Sequence, residues 1–179
     1  MATRISRIPI TATPADVAAT DRSTVLAQGV LAGFIGYAAL AGIMALVDLG
    51  YGRSPFHTAA ILGASLFYGV TDPAQVPVIP AYVLAYNGAH LLVFLALGVI
   101  GAALATLADR GAQLWYLSTF FFLFVAFHAI GAAQAMSEQL RASISEVTVW
   151  AGGIVAALLM GAYLVWMHPL MRKTQRWDG

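Results

Sequence analysis

Residues 82–107 read YVLAYNGAHLLVFLALGVIGAALATL, without a single charged side chain, and this run decides the fold. At about 1.5 Å of rise per residue it is longer than the ~30 Å hydrocarbon core of a bilayer requires. Inside such a core every backbone N–H and C=O must find its partner within the segment, so the run must be helical. Three further charge-free runs, at 25–47, 114–136 and 147–168, meet the same test. The sequence thus predicts an all-α integral membrane protein, a four-transmembrane-helix bundle with spans at about these positions.

Composition agrees. Of 179 residues, 60% are apolar and 9% charged, against about 25% charged in ordinary soluble domains. A soluble fold of this size could not hide that much apolar surface. Cysteine is absent, which excludes disulfides, thiolate metal sites and a cysteine nucleophile.

Between the first two spans, residues 54–71 are uncharged, but their apolar part is too short to cross. Ser54 followed by Pro55 reads as an N-cap with proline at the first helical position. This predicts a short interfacial or re-entrant helix at about 55–70, on the outer face. Pro73, Pro77 and Pro80 then forbid its continuation.

Charge sets the orientation. With four spans, one side of the membrane carries Arg4, Arg7, Arg22, Arg110, Arg172, Lys173 and Arg176, and the other only Arg53 and Arg141. Such asymmetry predicts cytoplasmic termini in a bacterial inner membrane. Residues 1–24 form a polar cytoplasmic tail in this reading, and 172–179 a basic one that contacts headgroups. The first apolar run is too long for a cleaved signal, although the basic, acid-free first fifteen residues leave a mitochondrial presequence open.

Helices in lipid associate through small residues that let backbones approach. The Gly29–Gly33 pair with Gly36, the stripe of Gly98 and Ala102, and the series Gly153, Ala157 and Gly161 supply such faces. They mark inward surfaces and no activity.

Ionisable side chains within spans are costly and direct attention to function. Two occur, His90 and His128. Counted from the hairpin near Arg110, one lies 20 residues before the turn and the other 18 after it, which brings them within roughly 3 Å in depth on antiparallel neighbours. Tyr86 and Asn87 sit one turn from His90 and complete a polar patch. Three readings stay open. Each histidine can serve as an interhelical link, as a ligand to haem, chlorin or a divalent metal, or as part of a path for protons, ions or quinone. Close helices joined by a short loop favour a metal ion over a porphyrin. In the metal reading His57, and carboxylates such as Asp48, Asp72, Glu138 and Glu146, complete the set. The cofactor reading takes His90, His128, Tyr86 and Asn87.

The remaining polar residues receive ordinary roles. His168 reads as an interface residue at the end of the fourth span, and Phe120, Phe121, Phe122, Phe124 and Phe127 nearly encircle their helix. No phosphate-binding loop, nucleophile elbow or HExxH motif occurs, and the basic residues form no nucleic-acid footprint. The function that follows is a non-catalytic accessory or scaffold subunit, in contact with the lipid bilayer and with other membrane-protein subunits or further copies of itself. The alternatives are a redox or metal-handling protein using His90 and His128, and a small transporter or channel with an outer-facing polar vestibule.

Overall fold

The computed structural model describes residues 14–110 and 144–168, with Tyr116, Thr119, Phe121, Leu123, Phe124, Val125, Phe127, Glu138 and Ala142 between them. Its order is α1 (Pro14–Gly50), α2 (His57–Tyr68), a 3-10 turn (Pro73–Gln75), α3 (Pro80–Arg110) and α4 (Glu146–Met167). Among the described residues there is no strand.

Three helices are long and apolar enough to cross a membrane: Arg22–Gly50 within α1, Pro80–Ala108 within α3, and Val147–Met167 within α4. They contain the expected first, second and fourth runs. The expected third, 114–136, lies mostly outside the described residues, and its described members from Tyr116 to Phe127 are helical. Helix α1 starts at Pro14, so residues 14–24 continue the first helix. Large apolar side chains cover the outside of the bundle, among them Leu26, Phe34, Leu84, Leu92, Leu158 and Trp166. In water that surface would drive aggregation, whereas against acyl chains it costs nothing.

The bundle closes on glycine. A Cβ on Gly98 would strike the backbone of Gly29 and Gly33, and one on Gly29 would lie 2.5 Å from Val99 Cα. Helices α1 and α3 therefore touch backbone to backbone, as small-residue packing permits. On the other flank of α1, a Cβ on Gly36 would meet Met160, and one on Gly152 would meet Leu40. The α4 surface against α1 thus runs through Gly152, Ala156 and Met160, with the expected Gly153 and Ala157 buried beside it and Gly161 only partly covered. Helix α1 is the central element, because α3 and α4 scarcely touch each other. Val125, fully buried, fills part of the interval between them with Phe94, Leu97 and Ala157. Of the phenylalanines that nearly encircle their helix, Phe121 packs on the core, while Phe124 and Phe127 are exposed.

Both α3 and α4 run antiparallel to α1. At one end of the bundle His168 Nε2–H donates to Gln28 Oε1 (3.2 Å), joining the close of α4 to the early part of α1. Gln28 is the one clearly polar residue of the first apolar run, and this bond satisfies it. His168, expected as an interface residue at the end of the fourth span, closes α4 and is buried within the bundle.

At the other end, α1 turns into α2 through Gly52, whose φ of 68° suits glycine. Helix α2 closes with Gly69 in the left-handed conformation, its N–H bonded to Ala64 O. Its buried side, which includes Ala60, Gly63 and Ala64, lies on α3, so close that a Cβ on Gly63 would collide with Tyr82 O. The proline-rich stretch that follows makes one 3-10 turn, in which Asp72 accepts from the Ala74 N–H (3.0 Å) and the Gln75 amide (2.8 Å).

Candidate functional site

Near the α1–α2 turn, α3 presents its polar residues toward α1. Tyr86, His90 and Phe94 follow one another at i, i+4 spacing on one face of α3. The imidazole stacks on the Tyr86 ring (centroids 5.0 Å apart, 22° between planes) and meets Phe94 at 5.0 Å on its other side. Beside this column the Tyr37 hydroxyl donates to Asn87 Oδ1 (3.0 Å), and Asn87 Nδ2 donates to Val83 O (2.9 Å). The sole asparagine of the chain therefore couples α1 to α3 with both ends of its amide in use.

Tyr86, Asn87 and His90 together line a cavity of about 150 Å³, closed by Tyr37, Met44 and Thr58 among others. Three of the residues singled out from the sequence are thus gathered in one place. His57 is not: it begins α2 and is half-buried, but the cavity takes its neighbours Phe56 and Thr58 instead. His128 lies outside the described residues. Among the described residues no group of three or more His, Asp or Glu side chains is placed to hold a metal ion. The volume itself discriminates, because sites for drug-sized molecules run from roughly 300 to 1,000 Å³.

A second polar cluster was not anticipated as a unit. Asp48, near the end of α1, is fully buried and accepts from the Thr58 N–H (2.8 Å) and the Thr58 hydroxyl (2.9 Å). Arg53 pairs with it through Nη2 at 3.2 Å and lies 4.8 Å over the Tyr51 ring. This carboxylate satisfies a backbone N–H in the first turn of α2, the role assigned from sequence to Ser54 with Pro55. Ser54 acts one step earlier, its Oγ accepting from the Phe56 N–H (3.3 Å), and the N-cap position belongs to Phe56. An ionised acceptor makes the stronger bond, which explains the exchange of roles.

Arg53 and Thr58 also border a wider cavity of about 430 Å³, open on one side, with Tyr51, Ser145 and Thr148 in its wall. Met44 and Thr58 belong to the walls of both cavities, so the two adjoin across these side chains.

Tyr37 had a legible signal, since it continues the i, i+4 stripe of Gly29 and Gly33 on α1. Asp48, Arg53 and Thr58 had none, because the path of the turn decides their meeting. In comparisons with known proteins, no family model, no curated protein and no solved structure matches this chain.

Proposed function

We propose that this chain is a non-catalytic, multi-pass membrane subunit that assembles with other membrane proteins or with further copies of itself. One observation carries the reading: interior polar groups bind each other between helices. Asp48 binds Thr58, Tyr37 binds Asn87, and Gln28 binds His168. Such pairs fix which helices meet and in what register. Catalysis instead asks for a nucleophile beside a base, or an acid and base held ready for substrate. The charge asymmetry of the sequence supports an inner membrane with both chain ends on the cytoplasmic side.

Gentle extraction from the native membrane, followed by a detergent-corrected mass, tests this. The expected mass is a defined multiple of, or sum well above, the 18.9 kDa of one chain. A solitary chain at every detergent concentration contradicts it.

A second reading, solute handling, is favoured by the two cavities that adjoin at Met44 and Thr58. It requires flux into liposomes that His90→Ala or Thr58→Val alters. Metal handling would rest on His90 with His128 and calls for one bound metal ion per chain.

A further inference from the structure

The 430 Å³ cavity holds the one arginine of the α1–α2 turn, and the arginine's environment is asymmetric. Asp48 is buried on the protein side and does not border the cavity, whereas Arg53 does. The pair is therefore neutral in sum but polarised, with the positive member bordering the cavity. A guanidinium offers five N–H donors in a rigid fork; the pair with Asp48 engages Nη2, and the Arg53 side chain stays one-third exposed. Around it stand Thr58, Ser145 and Thr148, the last two the N-cap and a first-turn residue of α4, where the helix dipole is positive. Met44 and Ile144 supply an apolar wall next to this polar end.

From this arrangement we infer that the cavity binds a phosphate oxyanion, with Arg53 as the principal donor and Ser145 and Thr148 as hydroxyl partners. Planar, forked donors match phosphate oxygens. The volume exceeds what a bare anion fills and falls in the range of small-molecule sites. The apolar wall beside the polar end suits an amphiphile whose phosphate enters first. The cavity lies where α1 ends, at the level at which a spanning helix meets headgroups. The phosphate of a lipid headgroup and free phosphate share this chemistry, and the experiment separates them.

The full-length protein in a mild uncharged detergent is titrated with dioleoyl phosphatidylglycerol, with dioleoylglycerol, which lacks the phosphate, and with inorganic phosphate, and binding is read by native mass spectrometry. The phosphatidylglycerol is expected to bind well above the dioleoylglycerol. Arg53→Lys keeps the charge opposite Asp48 but removes the planar fork, and should weaken phosphatidylglycerol binding about tenfold or more. Thr148→Val leaves the Asp48–Arg53 pair intact and should weaken it severalfold, so the test stands even where the arginine variant folds poorly. Displacement of the lipid by inorganic phosphate identifies a site open to the free anion, and selectivity without displacement identifies a headgroup site; either outcome supports the oxyanion pocket. Equal binding of the two lipids, or phosphatidylglycerol binding unchanged in Thr148→Val and in folded Arg53→Lys, overturns it.

Discussion

Asp48 grips Thr58 with both carboxylate oxygens, one on the backbone N–H at 2.8 Å and the other on the hydroxyl at 2.9 Å. With Arg53 Nη2 at 3.2 Å, this fully buried carboxylate ties the close of α1, the turn and the start of α2 into one unit. Each of the other interior pairs likewise joins elements distant in sequence, and the consequences can be measured.

Asp48→Asn keeps the shape but removes the charge that Arg53 faces. Breaking a buried pair costs about 3–5 kcal/mol, but the Arg53 side chain is one-third exposed, and solvent screening lowers the expected loss to about 2 kcal/mol. Unfolding in mixed micelles measures it. Asp48→Asn combined with Arg53→Gln should lose less than the sum of the two single changes, because each single change leaves a lone charge and the double change leaves none.

Substitution along the glycine seam should separate sharply by position. Gly33→Ala and Gly98→Ala place a methyl group against backbone, and should destabilise by about 1–3 kcal/mol or force α1 and α3 apart. Gly42→Ala and Gly88→Ala meet nothing within 4 Å, and should stabilise by about 0.5–1 kcal/mol through helix propensity. The same unfolding assay compares all four. Equal effects at the two kinds of position would refute the close approach.

Tyr37→Phe and Asn87→Leu each remove the bond between α1 and α3. Interhelical hydrogen bonds in membranes average about 0.6 kcal/mol and reach about 1.7. A double-mutant cycle should return a coupling in that range, and none if the hydroxyl and amide do not meet.

These contrasts also mark what the sequence alone could convey. That Gly29, Gly33 and Gly98 lie on packing faces was legible, because backbone approach needs small residues at helical spacing and the spacing is written in the chain. The column of Tyr86, His90 and Phe94 was legible for the same reason. The pairing of Gln28 with His168 was not, since it depends on which helices are neighbours and on their relative register. Asp48 was read as an outer-face carboxylate and Ser54 as the cap of α2; six residues of turn bring Asp48 back over Thr58, and no periodic pattern encodes such a path. His57 lay at the right end of the molecule, yet a helix start directs consecutive side chains about 100° apart, and the cavity received Phe56 and Thr58.

His90 packs between Tyr86 and Phe94, and the proposed scaffold role asks for no prosthetic group on it. The most direct test is the absorption spectrum and metal content of the wild-type protein, purified from its own membrane beside His90→Phe. The expected result is an aromatic band alone, far less than one metal ion per chain, and a variant that assembles as the wild type does. A Soret or chlorin band, or one metal ion per chain, present in the wild type and lost in His90→Phe, would contradict it.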